Sequence, residues 1–245
     1  DALDRHGVVV YRGADIGDDD LVALSHMLGE VVVVRTGEHR LPEIQTITMD
    51  PDKTSARRAA YRKGNFLWHI DGAHDPVPQR ATLLAAREVD ETGGGDTEFA
   101  STYAAYDALP EDEKQAIADL NVVHSFATAL LRVNPDASEQ ERATWAQVSP
   151  RVHPLVWSRS DGRRSMLLGS TAGEVVGWTP EEGRALLDRL LAWSTQRQFV
   201  VRHQWRVGDL VVWDNTGMLH RALPFEPTSR RLLHRTTLAG TEQLV

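Results

Sequence analysis

Asp209-Leu210-Val211-Val212-Trp213-Asp214-Asn215-Thr216-Gly217-Met218-Leu219-His220 reads as an apolar β-strand that stops at a polar, Gly-containing turn and delivers a histidine just beyond it. Branched and aromatic residues fit a pleated, buried surface, and Asp and Gly bracket strands. Working outward, runs of the same kind recur at 7–12, 30–34, 43–49, 81–87, 97–102, 122–126, 152–158, 165–169, 199–205 and 232–238. Helical patterns are fewer. Asp18–Leu28 sets Leu21, Leu24 and Leu28 behind an acidic start, and 110–120 sets Ile117 and Leu120 behind another. Thr179, Pro180 and Glu182 spell a capping box ahead of Leu186, Leu187, Leu190 and Leu191. Many short strands with few helices predict a mainly β fold with flanking helices, a jelly roll being the leading architecture.

The 245 residues, 41% hydrophobic and 25% charged, are enough to build one sizeable core, so a single domain over 1–245 is expected. The polar stretch 128–150, with Asn134-Pro135-Asp136 and no strand period, reads as a long excursion from that core and as a candidate lid. No apolar run approaches the ~18 residues of a membrane span, and no leader pattern opens the chain, so a cytoplasmic location is expected. Cysteine is absent, which excludes disulfides, thiolate metal sites and a cysteine nucleophile and leaves His, Asp and Glu to hold any metal. A net charge of −8 with scattered Lys and Arg argues against nucleic acid and anionic membrane as partners. The expected partner is a small molecule.

Phe66-Leu67-Trp68-His69-Ile70-Asp71-Gly72 places a histidine and a carboxylate two residues apart. On a strand they share one face and converge on one ion. His220, beyond its turn, supplies a second imidazole, and two histidines with one carboxylate leave adjacent positions open on an octahedral metal. Zinc sites of similar composition exist, so the triad does not fix the metal. Arg231 and Arg235 lie four apart, sharing a strand face with Leu233 while His234 faces the other way. Two guanidiniums on one face are costly to bury unless anions meet them, which favours a 2-oxo acid cosubstrate over a hydrolytic site.

Several ordered blocks resemble the taurine dioxygenase family, which includes phenoxyacetate dioxygenases and alkylsulfatases. They are Trp68-His69-Ile70-Asp71, Gly94-Gly95-Asp96-Thr97, Ala104-Ala105-Tyr106-Asp107-Ala108-Leu109, His153-Pro154-Leu155-Val156, Val212-Trp213-Asp214-Asn215, and His220 through Arg231 to His234-Arg235-Thr236-Thr237. The resemblance implies a double-stranded β-helix of the cupin-like, jelly-roll kind. It implies Fe(II) held by His69, Asp71 and His220, with 2-oxoglutarate bound by Thr97 and Arg231. Arg235 matches a second arginine that meets either the other end of the cosubstrate or an acidic group of the substrate. Asn65 matches a polar substrate position. His39, following Gly29-Glu30, matches a sulfonate-binding histidine of taurine-specific members, although Val31-Val32-Val33-Val34-Arg35 departs from them. Tyr61 and Phe66 are the aromatics nearest the metal motif and are further substrate candidates. The implied activity is oxidation, chiefly hydroxylation, of a small anionic substrate with O2, releasing succinate and CO2. The resemblance also leaves a homo-oligomer open.

Other readings compete. His74 and Asp75 offer a rival to the metal pair, His124 and His153 read as core histidines with a place on the pocket wall as the alternative for His153, and His234 reads as structural. Trp68, Trp157, Trp178, Trp205 and Trp213 read as core packing. A 2-oxoglutarate-independent metal hydrolase would use the same triad, whereas a non-catalytic jelly-roll binding protein would need neither metal nor the arginine pair.

Overall fold

The computed structural model describes residues 2–34, 39–89, 94–226 and 229–242. Arg35 lies outside them. In chain order the elements are α1 (Ala2–His6), β1 (Val8–Tyr11), α2 (Asp18–Leu28), β2 (Gln45–Ile47), α3 (Ala56–Arg62), a 3-10 turn (Lys63–Phe66), β3 (Ala81–Glu88), β4 (Thr97–Ser101), α4 (Thr102–Asp107) and α5 (Glu111–Ile117). There follow β5 (Asn121–His124), α6 (Phe126–Val133), α7 (Glu139–Trp145), β6 (Arg151–Pro154), β7 (Val156–Ser158), β8 (Arg164–Met166), β9 (Ala172–Val175) and α8 (Pro180–Ser194). A second 3-10 turn (Arg197–Phe199) then leads to β10 (Val200–His203), β11 (Leu210–Asp214), β12 (Met218–Ala222) and β13 (Leu232–Leu238).

The major sheet runs β1-β11-β3-β13-β2 with antiparallel pairings throughout. Its middle strands are buried on both faces, which is why β11 and β3 read as near-continuous apolar runs rather than alternating ones. Leu83, Ala85, Leu210, Val212 and Leu238 point outward beneath Leu21 of α2. Leu84, Ala86, Val211, Trp213 and Leu233 point inward to Phe99 and Met218 on the facing sheet β10-β4-β12. A further core gathers Ile117, Val122, Leu155, Met166, Leu187 and Leu190 beneath α8, whose Thr179–Glu182 capping box forms with Pro180 in its first turn. The chain is thus sheet-rich with helices on its flanks.

Several expectations change in detail. Of 30–34, only Val31 pairs, in a single bridge to Leu238. The run 122–126 ends at His124 because Ser125 caps α6, its side chain accepting from the Thr128 amide. The run 152–158 splits at Leu155, whose amide turns aside to the Leu120 carbonyl. On α2, Leu28 is exposed rather than part of the buried stripe. The stretch 128–150 carries the rest of α6 and all of α7, the latter with a capping box of Ser138 and Glu141. Short α1, α3 and α4 and strand β9 carry too little periodicity for the sequence to show them.

Candidate active site

His69 pairs with His220 in an isolated antiparallel bridge, its amide donating to the His220 carbonyl at 3.0 Å and its carbonyl accepting from the His220 amide at 2.9 Å. The expected strand at the His-x-Asp motif is therefore a single bridge. Gly72, at φ +72°, turns the chain away immediately after Asp71. His220 itself lies in the middle of β12, paired with Phe99, rather than beyond a strand end. Residues directly opposed across a ladder project to the same face, and the two imidazole rings stand 4.1 Å apart.

Asp71 completes the group, with Oδ1 at 3.9 Å from His69 Nε2 and Oδ2 at 3.7 Å from His220 Nε2. One nitrogen or oxygen from each residue falls within 4.8 Å of the others, and the donor set of two imidazoles and a carboxylate suits Fe(II). His69 Nδ1–H donates to the Leu67 carbonyl at 2.8 Å, which leaves Nε2 with its lone pair toward Asp71. Burial lowers the pKa of His69, and burial together with the neighbouring ring pushes His220 down to about 3, so both are neutral donors near pH 7. Burial opposes ionisation of Asp71, but Arg235, His220, His69 and the Thr82 hydroxyl together hold its carboxyl below the ordinary carboxylate range.

The pocket opens between the two sheets. Its inner wall is Leu84, Trp213 and Leu233 of the major sheet, and Thr97 and His220 face them from the other side. Arg231, just before β13, is 3% exposed, yet among the described residues its guanidinium has no ion-pair partner and its Nε makes no hydrogen bond. It lies 5.1 Å above the Phe225 ring, and burial brings its pKa down to about 10. An ionised guanidinium left this way is costly unless an anion meets it. The preceding glycine turn makes room for it. At Gly95, φ +68°, a Cβ would lie 2.7 Å from Arg231 Cδ and Nε. Gly93 lies outside the described residues. Thr97 accepts from Trp205 Nε1 at 2.9 Å, so its own hydroxyl proton is free to point into the pocket.

Arg235 reaches Asp71 instead, Nη1 lying 3.0 Å from Oδ1 and 3.2 Å from Oδ2, while Nη2 donates to Gln45 Oε1. Asn65 and Phe66, on the first 3-10 turn, line the pocket, and the Phe66 ring meets Phe225 edge-on at 5.8 Å. Two sequence candidates are elsewhere. Tyr61 points away from the pocket to pack on Phe126, its hydroxyl accepting from Arg57 Nε at 3.3 Å, because the helical turn separates it from Asn65. His39 lies on the outer side of the major sheet, 3.1 Å from Asp18 and beside His234, far from any substrate path through the pocket. His153 donates to the Asp75 carbonyl, and neither it nor His74 lines the pocket.

Gln45, Thr82 and Phe225 line the pocket or support it and were not singled out from sequence. Arg62 lines the pocket while donating to the Thr46 carbonyl and Thr54 Oγ1 at 2.6 and 2.8 Å and to the Thr48 carbonyl, which ties α3 to the end of β2. The available signal for Thr82 was a lone hydroxyl inside the apolar run Ala81-Thr82-Leu83-Leu84-Ala85-Ala86.

A family model described as "Taurine catabolism dioxygenase TauD, TfdA family" matches residues 1–237. The chain is 36% identical over 249 residues to the alpha-ketoglutarate-dependent 2,4-dichlorophenoxyacetate dioxygenase of Cupriavidus pinatubonensis, covering 96% of this chain and 85% of that protein. It is 35% identical over 183 residues to the (S)-phenoxypropionate/alpha-ketoglutarate-dioxygenase of Sphingobium herbicidovorans, covering 73% and 63%. Among solved structures, AAD-2 in complex with Mn(II) and N-oxalylglycine superposes with a TM-score of 0.82 at 32% identity, covering 100% of this chain and 86% of that one. Alpha-ketoglutarate is 2-oxoglutarate.

Proposed function

The chain belongs to the taurine catabolism dioxygenase TauD/TfdA family, and on that premise we propose that His69, Asp71 and His220 hold its Fe(II) while Arg231 and Thr97 receive the distal carboxylate of 2-oxoglutarate. It is an Fe(II)- and 2-oxoglutarate-dependent dioxygenase that oxidises a small organic substrate. This sets aside the hydrolase and binding-protein readings. The two facing sheets support a jelly-roll reading of the fold, and the whole chain is read as one domain.

When bound, ferrous iron, 2-oxoglutarate and O2 supply the oxidising chemistry, with succinate and CO2 released. The chain's residues position and shield. The neutral Nε2 atoms of His69 and His220 and the ionised Asp71 form the donor face. Arg231 draws a carboxylate into the pocket, where Thr97 adds a hydroxyl donor. Arg235, on the same strand face, is the cation for an acidic group of the substrate or for the near end of the cosubstrate. Asn65 and Phe66 form the substrate's rim, and Leu84, Trp213 and Leu233 keep water from the reacting centre. The relatives' phenoxyalkanoate substrates carry a carboxylate beside an aromatic ring, and a pocket with Arg235 on one wall and Phe66 and Phe225 on another suits that class. Hydroxylation next to the ether oxygen is the proposed outcome. Helix α6 packs against the 3-10 turn that bears Asn65 and Phe66, which supports reading 128–150 as a lid.

The single observation carrying this assignment is the buried Arg231 guanidinium, which has no ion-pair partner among the described residues and opens on the same pocket as the two histidines. Anaerobic addition of Fe(II) and 2-oxoglutarate to metal-free protein should produce the weak visible band of a chelated 2-oxo acid. Arg231→Ala should lose it at modest cosubstrate. A band of unchanged strength in Arg231→Ala, or none in folded, iron-loaded wild type, would overturn the assignment.

A further inference from the structure

Behind Asp71, on the side away from the pocket, two fully buried polar side chains form a directed chain. Asn215 Nδ2 donates to Thr82 Oγ1 at 2.8 Å, and Thr82 Oγ1 donates to Asp71 Oδ2 at 2.9 Å. Both Thr82 and Asn215 have no exposed surface. The direction is fixed by donor inventory. An ionised carboxylate accepts only, so the single hydroxyl proton of Thr82 goes to Asp71, and its lone pair is left for an amide proton of Asn215. Asn215 is itself immobilised. Its backbone amide donates to the Arg80 carbonyl at 3.1 Å, and its neighbour Asp214 is gripped by Arg80 at 2.7 Å. Asn215 Oδ1 is buried with no partner among the described residues, a cost that a purely structural asparagine would not be expected to carry.

Resting on the reading of Asp71 as a metal ligand, we infer that Asn215 and Thr82 are positioning residues that orient this carboxylate and occupy Oδ2, so that Oδ1 is the oxygen offered to the metal. Among the described residues Oδ1 accepts a hydrogen bond from Arg235 alone and faces His69 Nε2 at 3.9 Å, whereas Oδ2 accepts from both Thr82 and Arg235. A carboxylate free to rotate would present both oxygens and take up a position that the site needs for a bidentate cosubstrate and O2. The Val-Trp-Asp-Asn segment thereby acquires a role at the metal through its last residue, acting by way of a threonine on the adjacent strand.

The test is Mn(II) binding to metal-free protein, followed by the electron paramagnetic resonance signal of free Mn(II), with the melting temperature of the metal-free form measured in parallel. Wild type should bind one ion and His69→Ala none. An absence of Mn(II) binding to wild type would overturn the ligand reading itself. Given wild-type binding, Thr82→Val should weaken Mn(II) by about 10- to 100-fold, with Thr82→Ser within about threefold of wild type. Asn215→Ala should weaken it by about tenfold, and adding it to Thr82→Val should bring little further loss, because it acts through the same hydroxyl. A merely structural pair would lower the melting temperature and leave Mn(II) affinity unchanged. That result, in Thr82→Val or, should that variant not fold, in Asn215→Ala, would overturn the inference, as would fully additive losses in the double variant.

Discussion

His69 and His220 exchange both of their backbone hydrogen bonds across one isolated bridge, so 150 residues of intervening chain are closed at the very pair that carries the imidazoles. Among the described residues nothing else in the ladder holds His69, and its position depends on what packs behind it. Gly169, at φ +111°, is that neighbour. A Cβ there would lie 2.8 Å from the Trp68 carbonyl oxygen and 3.0 Å from His69 Cα. Gly169→Ala should therefore destabilise the fold by about 1–3 kcal/mol through backbone strain and weaken Mn(II) binding alongside. Thermal melts and a metal titration check both, and wild-type metal affinity in the variant would refute the coupling.

Gly95 makes the corresponding space for Arg231. Gly95→Ala forces a side chain into a left-handed backbone and against the guanidinium stem. Affinity for 2-oxoglutarate should fall about tenfold, close to 1.4 kcal/mol, while Mn(II) binding stays near wild type. Titration of each ligand separately distinguishes this from general unfolding.

Arg62 holds the end of β2 against α3 by charge-assisted bonds to two carbonyls and a threonine hydroxyl. Arg62→Ala leaves the Thr46 and Thr48 carbonyls short of a donor, and a loss of about 2–4 kcal/mol in unfolding free energy follows. Denaturant melts give the measurement. A variant as stable as wild type would show that water replaces the clasp.

His124 supplies a pH prediction away from the metal. It is wholly buried, Nδ1 lies 2.9 Å from Thr171 Oγ1, and burial, followed by His153 and His74, lowers its pKa to about 3. The unfolded chain binds this proton near pH 6.5 and the folded chain does not. The stability associated with the neutral ring is therefore complete above about 6.5 and declines by about 1.4 kcal/mol per pH unit below it, down to about 3. In His124→Gln the acid side of the stability curve should flatten by about one proton between pH 6 and 4.5. Parallel curves for the two proteins would contradict the assignment.

Much of the fold and pocket was legible because strands carry their burial in their alternation. Leu233 and Arg235 face the pocket while His234 turns to Asp18 on the outer side, at 2.7 Å, as alternation along 231–235 requires. His69, Asp71 and His220 do come together, but through a different local structure from the expected strand, since a His-x-Asp pair cannot reveal that its strand is one bridge long. His39 and Tyr61 fell away for a different reason. Which side of a helix or sheet a residue takes depends on long-range packing, here of Asp18 against His39 and of Phe126 against Tyr61. Gln45 and Phe225 come from short or irregular segments with no period to read.

The side chains proposed to meet the substrate come from a different kind of scaffold than the ionic ones. Arg235 and His220 stand on paired strands, and Thr82 and Thr97 with them, whereas Asn65 and Phe66 belong to a four-residue 3-10 turn and Met49 and Phe225 to connecting loops. Replacements at those latter positions need not disturb any ladder. Descendants of such a chain can thus drift toward bulkier or slimmer molecules by a few exchanges at the mouth, inheriting the oxidising machinery unchanged, and a library confined to those four positions would sample the same evolutionary route at the bench.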